Sequence, residues 1–271
     1  MKYYAAVGDK RELSAVVVTP PVRALFSYFY YKNKIHEIHE FLNAGHEAFL
    51  DSGAFSVYNA GAAVNIDDYC KFVIASKCTI FAGLDVIGNA KESLANMKYM
   101  FDNYGLKAIP TFHMGSTLDD LAELIHGNYS YIALGGLVFS PNAIARCDAV
   151  WHYIITHNPK LRVHGFAVTN VEMMRRYPWY SVDSSSYKSC RRFGRQGILW
   201  GDFTFTTVQE KEYWLMLETM GYKDIANLTN NERYFLYDYH SCQSYKILAA
   251  HLGEINKHKN FDYLNAQLKL F

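Results

Sequence analysis

AFLDSGAF (residues 48–55), IFAGLDVIG (residues 80–88) and WYSVDSSS (residues 179–186) share one pattern: a short apolar run that finishes on an aspartate, at Asp51, Asp85 and Asp183. A carboxylate at the end of a buried strand is costly to desolvate. One such Asp is explained by helix capping, because strand-to-helix loops often close on Asp or Ser. Three together point to acids converging at a single place. A parallel barrel supplies that place, since the loops after its strands all open on the C-terminal face.

Outward from these runs, eight β-prone stretches can be counted: Leu13–Val18, Glu47–Asp51, Thr79–Asp85, Lys107–Phe112, Ser130–Leu134, Leu161–Ala167, Trp179–Asp183 and Gly197–Trp200. Between most of them lie segments of helical character, among them Asp67–Lys77, Ala90–Tyr104, Leu118–His126, Pro141–Thr156 and Asn170–Tyr177. Strands alternating with helices imply βαβ units, and eight of them predict an α/β fold closed as a (β/α)8 TIM barrel over residues 1–204. The middle strands are almost continuously apolar, as strands covered on both faces should be. After Trp200 the pattern changes. Gln209–Met220 and Arg233–His251 read as helices with LTNN (residues 228–231) between them, so residues 205–271 are expected to form a helical C-terminal extension packed on the barrel.

At 271 residues the chain can bury a large core, and 50% apolar composition excludes a largely disordered one. A net charge of +1 carries no global attraction for nucleic acid or membrane, so any polyanion site must be a local patch. Five cysteines, an odd number without a CxxC spacing, fit reduced thiols in a cytoplasm. The opening MKYYAAVGDK has no apolar stretch of signal-peptide length and no segment approaches 18 apolar residues, so a soluble cytoplasmic protein without a membrane partner is expected. His36, Glu37, His39, Glu40 and His46 do not form HExxH and fall where helix surface is expected, which argues against a metal. Neither GxGxxG nor GxxxxGK[ST] occurs, so no dinucleotide or P-loop site is expected, and no cofactor is implied.

In a barrel, the residues just past each strand face the pocket. Here they are Asp51-Ser52-Gly53-Ala54-Phe55, Asp85, His113-Met114-Gly115, Gly135-Gly136-Leu137, His164-Gly165-Phe166 and Asp183-Ser184-Ser185. Carboxylates, ring donors, glycine amides that a ligand can approach closely and aromatic faces suit a flat heterocycle with donors and acceptors along its edge. Beyond Asp183 come Lys188, Arg191, Arg192 and Arg195, four cations within eight residues that could hold phosphates.

Asp51-Ser52-Gly53-Ala54-Phe55 resembles the DSGG-aromatic motif of tRNA-guanine transglycosylases, and Leu134-Gly135-Gly136-Leu137 is similar to that family's GGL loop. Asp85 and Asp183 stand where the family keeps its second base-recognising aspartate and its nucleophile, the latter followed by an Arg-rich loop. The resemblance covers roughly residues 45–200 and is closest to the compact phage and bacterial members that insert 7-deazaguanines into DNA. It implies base exchange through a covalent intermediate, with Asp183 as nucleophile and Asp51 as general acid/base. Asp85 would read the guanine edge, with Ser52, His113 and the amides of Gly135 and Gly136 completing the polar contacts. Phe55 would stack on one face of the base and His164 or Phe166 would close the other. Lys188, Arg191, Arg192 and Arg195 would bind the nucleic acid.

Two departures refine this. The tRNA-acting members carry a CxCxxC-plus-His zinc site beyond the barrel, and Cys242 with His240 is too sparse to replace it, which favours DNA. Where the family places a glutamine on the base oxygen, this chain has His113-Met114. The implied partners are DNA, with tRNA as the alternative, and a free 7-deazaguanine base; a homodimer is left open. The rival readings are a tRNA-guanine transglycosylase without the zinc site, a barrel glycosidase or nucleoside hydrolase using Asp51 and Asp183 as paired carboxylates, and a catalytically silent nucleic-acid-binding barrel.

Overall fold

The computed structural model describes residues 1–18, 20–59, 63–127, 129–137, 142–222, 225–259 and 261. Eight parallel strands alternate with helices: β1 (Lys2–Val7), β2 (Arg23–Ser27), β3 (Glu47–Asp51), β4 (Ile80–Phe81), β5 (Thr111–His113), β6 (Tyr131–Gly135), β7 (Arg162–Gly165) and β8 (Ser181–Ser184). Their hydrogen-bonded order is β4-β3-β2-β1-β8-β7-β6-β5. Ile109 N–H donates to Phe81 O and Gly83 N–H donates to Ile109 O, both at 2.9 Å, which joins β4 to the approach of β5 and closes the ring. The result is the (β/α)8 barrel that the spacing of apolar runs predicts.

Eight strands were expected and eight form the barrel, but two of them are not those the sequence suggested. Leu13–Val18 is apolar and β-branched, yet Asp9 accepts from the backbone N–H of Arg11 and Glu12 and caps a helix over Lys10–Val16. A satisfied N-cap outweighs the weak strand preference of three valines. The first strand is instead Lys2–Val7, and the second, Arg23–Ser27, was missed because RALFS is short and opens on a charge. At the other end, Gly197–Trp200 is no barrel strand. Arg195–Leu199 (β9) pairs antiparallel with Phe205–Gln209 (β10), forming a hairpin that straddles residue 204.

Helix ends follow local chemistry closely. Asn89 accepts from Glu92 N–H to start Ala90–Tyr104, and Gly105 ends it at φ +67°. Thr117 and Asp120 form a capping box for Leu118–His126. Pro141, expected to open the next helix, lies outside the described residues; that helix runs Ala143–His157. Thr229 and Glu232, a second capping box, begin the 28-residue helix Asn230–Lys257. This helix occupies the eighth helical position of the barrel. Tyr245 stacks on outward-facing Tyr3 of β1, ring centroids 5.5 Å apart, and Leu248, Ala249 and Leu252 join the same buried layer.

Two apolar layers result. One lies between strands and helices, built on Val7, Phe26, Ile38, Leu50, Trp151, Val182 and Leu248. The other fills the barrel interior with Tyr4, Leu25, Phe49, Ala82, Ile109, Tyr131 and Ala133. At the N-terminal end Glu47 gathers Lys2 Nζ at 2.8 Å, Arg23 Nε at 3.4 Å and the Tyr4 hydroxyl, so that end is neutralised and closed. Asp51, Asp85 and Asp183 collect at the other end.

The cation cluster past β8 does not form an open patch. Lys188 is buried and pairs with Glu12 at 2.7 Å, and Arg191 forms a forked pair with the fully buried Asp238, Nε to Oδ1 at 3.0 Å. These two charges are spent on docking the turn after β8 against the first and last helices, which corrects their assignment to phosphates. Arg192 and Arg195 remain exposed. Removing one partner of a buried pair strands the other charge, so Arg191→Ala should lower stability by about 3–5 kcal/mol in urea denaturation, while Arg192→Ala should change it by no more than about 0.5 kcal/mol.

Candidate active site

The C-terminal mouth of the barrel brings together Asp51 from the end of β3, Asp85 from the loop after β4, His113 from the end of β5, Gly135 and Gly136 at the end of β6, Phe166 after β7 and Asp183 on β8. The alternation of side chains along each strand explains their shared direction. Ser181 and Asp183 face inward on β8 while Val182 packs outward among the helices.

Asp183 is only 5% exposed. Its Oδ1 accepts from Ala167 N–H at 3.1 Å and lies 3.1 Å from His164 Nε2. Both contacts fall on one oxygen, and Oδ2 has no partner among the described residues. Ala167 adopts φ +57°, the left-handed region that a residue with a Cβ enters at a cost of about 1 kcal/mol. That conformation belongs to the turn whose N–H reaches Asp183, so the strain coincides with the carboxylate it supports.

Asp51 is held differently. Its Oδ2 accepts from Gly53 N–H at 3.0 Å. Gly53 has φ +76°, and a Cβ there would lie 2.8 Å from Phe29 Cβ and 2.9 Å from Ser27 Oγ, so only glycine fits. Desolvation pushes the Asp51 carboxyl up to about 7, with the charges of Asp183 and Asp85 adding to the rise and the Gly53 hydrogen bond opposing it. At neutral pH the mouth therefore contains a carboxyl able to carry a proton beside carboxylates that raise its affinity for one.

Asp85 Oδ2 lies 3.6 Å from His113 Nε2, too long for a hydrogen bond, and that buried nitrogen has no hydrogen-bond partner among the described residues. Ser52 is fully buried, its Oγ without a partner among the described residues, so it does not present itself to the mouth as the strand-end motif suggests. Gly135 packs against the His113 ring, where a Cβ would stand 3.1 Å away and crowd it. Gly136 is exposed at φ +76° and Phe55 is half exposed at the rim on the helix Ala54–Asn59. Phe166 sits partly buried, edge-on to Phe49 with centroids 5.8 Å apart.

His164 is the residue the structure moves. It is fully buried, its ring 4.5 Å from Phe49, 4.7 Å from Phe166 and 6.1 Å from Tyr4. It stands beneath Asp183 rather than in the mouth, so it cannot close a face on a base. A strand-end motif gives the direction of a side chain but not its depth. Ser181, which contacts His164, and Tyr131, which contacts Ser181, were missed; the inward alternation two residues before Asp183 was the available signal for Ser181.

No protein-family model matches this chain, and no curated protein sequence matches it significantly. Among the described residues no helix is long and apolar enough to cross a membrane, and no cluster of three metal-ligating side chains occurs.

The raised Asp51 carboxyl has a thermodynamic signature. Its folded-state pKa of about 7 exceeds its ordinary value of 3.8, so the native state binds more protons and stability declines as pH rises from 4 through 7. Asp51→Asn keeps an acceptor for Gly53 without the charge. The variant should gain at least about 1 kcal/mol over the parent at pH 8 and nothing at pH 4, by urea denaturation at both values.

Proposed function

We propose that this chain is a base-exchange transglycosylase that replaces guanine in DNA with a 7-deazaguanine. The observation that carries the reading is the division of labour among the mouth acids: Asp183 presents one uncommitted oxygen, while Asp51 is poised to hold a proton at neutral pH. A carboxyl that can hold a proton at neutral pH beside a carboxylate with a free oxygen is what a glycosidic exchange requires.

The steps balance with these two groups alone. Asp183 Oδ2 bonds to C1′ as the C1′–N9 bond breaks, and the electron pair leaves with guanine, which takes a proton from Asp51. The incoming 7-deazaguanine then gives its ring N–H proton to Asp51 as its nitrogen bonds to C1′ and Asp183 departs. Asp85 and His113 supply a polar edge with unused hydrogen-bonding capacity, suited to the edge of a purine-like base. Gly135 and Gly136 leave space beside that edge, and Phe55 and Phe166 supply aromatic surface. Arg192 and Arg195 remain as phosphate contacts. These assignments also rest on the resemblance of the DSGAF and LGGL segments to the transglycosylase family.

The test is exchange of labelled guanine into duplex DNA and, in parallel, into tRNA, followed by nucleoside mass spectrometry. Incorporation into DNA supports the reading; incorporation into tRNA alone replaces its substrate, and release of free base without incorporation replaces it with a hydrolase. Asp183→Asn should keep DNA binding and lose exchange by several orders of magnitude. Near-normal exchange in that variant would remove Asp183 from the mechanism. Replacing both Arg192 and Arg195 with alanine should weaken binding of all sequences alike and flatten its salt dependence by about one unit of slope per lost contact.

A further inference from the structure

Beneath Asp183 a line of polar groups runs down the barrel axis through an otherwise aromatic interior. His164 Nδ1 lies 2.6 Å from Ser181 Oγ, and Ser181 Oγ lies 2.5 Å from the Tyr131 hydroxyl. All three residues are buried. Their alignment follows from strand register: His164 of β7 pairs with Ser181 of β8, Tyr131 stands on β6, and Asp183 lies two residues above Ser181. The phenol ends the line. Its ring is covered by the Arg162 guanidinium at 5.2 Å and by Tyr180 at 5.2 Å, and its hydroxyl has no other hydrogen-bond partner among the described residues.

One assignment of directions gives every hydrogen in the line an acceptor. Burial raises the Tyr131 phenol above its ordinary value, so it remains a donor, and Ser181 is the acceptor available to it. Ser181, having accepted from Tyr131, has one hydrogen to give, and the group left to receive it is His164 Nδ1. An imidazole that accepts at Nδ1 is neutral and carries its hydrogen on Nε2, which points at Asp183 Oδ1. A hydrogen on Nδ1 would leave either the phenol hydrogen or the Ser181 hydrogen buried without an acceptor, at a cost of about 1–3 kcal/mol.

We propose that Tyr131 and Ser181 are positioning residues that lock His164 as a neutral Nε2–H donor to Asp183 Oδ1, leaving Asp183 Oδ2 oriented as the attacking oxygen. The kinetic half of this rests on the transglycosylase reading; the tautomer does not. A line of this kind differs from packing alone because it specifies which nitrogen holds the proton. Removal of one hydroxyl changes that specification while leaving the aromatic walls in place.

The test begins on the unaltered full-length protein labelled with 15N-histidine. At pH 7.5 the His164 resonances should report a bare Nδ1 and a protonated Nε2. A protonated Nδ1, in either the other tautomer or the imidazolium, overturns the proposal whatever reaction the protein performs. Ser181→Ala should shift the His164 signals towards Nδ1–H, and Tyr131→Phe should do so less, because Ser181 can still donate. In base exchange on DNA, Ser181→Ala should lower kcat roughly ten- to a hundredfold, the scale on which partners behind a reacting group act, with KM within about twofold. Ser181→Thr, which keeps the hydroxyl, should recover most of the loss. An unchanged kcat in Ser181→Ala with a shifted tautomer overturns the positioning role. Absence of exchange in the parent, with the expected tautomer present, sinks the transglycosylase reading and upholds the lock.

Discussion

A barrel that carries a buried carboxylate must supply donors to it from its own interior, and the design of this protein's mouth follows from that requirement. Asp183 lies above a layer of Tyr4, Phe49 and Phe166 that offers no hydrogen bonds to its carboxylate. Leaving an ionised group unpaired there would be far more costly than the strain of one left-handed alanine. The chain meets the need twice, with the Ala167 amide from the rim and with the His164 imidazole from beneath. Both reach the same oxygen. Support for one oxygen leaves the other uncommitted, and stabilisation of the charge is thereby separated from use of the charge.

The two ends of the barrel treat charge in opposite ways. At the N-terminal end Glu47 is surrounded by Lys2, Arg23 and Tyr4, and its carboxyl is held below the usual range by the Lys2 and Tyr4 hydrogen bonds and the flanking cations, against the opposing effect of burial. At the C-terminal end burial pushes the Asp51 carboxyl up, and the charges of Asp183 and Asp85 add to the rise. A carboxyl at the start of β3 thus becomes a fixed anion and one at its end a proton carrier. Conserving free energy at one end and leaving repulsion unrelieved at the other is the expected division between structure and chemistry in this fold.

The sequence made the acids legible because polarity at the end of an apolar run is a local contradiction, visible without partners. The helices Ala90–Tyr104 and Leu118–His126 were legible for a related reason, since their caps lie within three residues of their ends. What depended on distant residues was not. Lys188 and Arg191 look like a solvated basic loop until Glu12 and Asp238 are brought beside them by the packing of the first and last helices. The run Leu13–Val18 has strand composition, and only the side-chain bonds of Asp9 commit it to a helix. His164 was recognised as a pocket residue from its place at a strand end, but depth along the barrel axis is set by register between strands, which the chain does not write locally.

The loss of Lys188 and Arg191 from the basic patch changes how the proposed substrate must approach. A mouth lined by Asp51, Asp85 and Asp183 repels phosphate, so a nucleic-acid backbone cannot enter it and must stay at the rim, where Arg192 and Arg195 are exposed. A base carries no such charge. It can leave the stack, at a cost on the order of a few kcal/mol, and meet the unpartnered polar edge at Asp85 and His113. On the proposed reading, the acids therefore select as well as react: they exclude the part of the polymer that would otherwise bind most strongly and admit the part on which the chemistry is done. The weak net charge of +1 is consistent with that arrangement, because affinity need come only from a few cations placed beside the opening and not from a field over the whole surface.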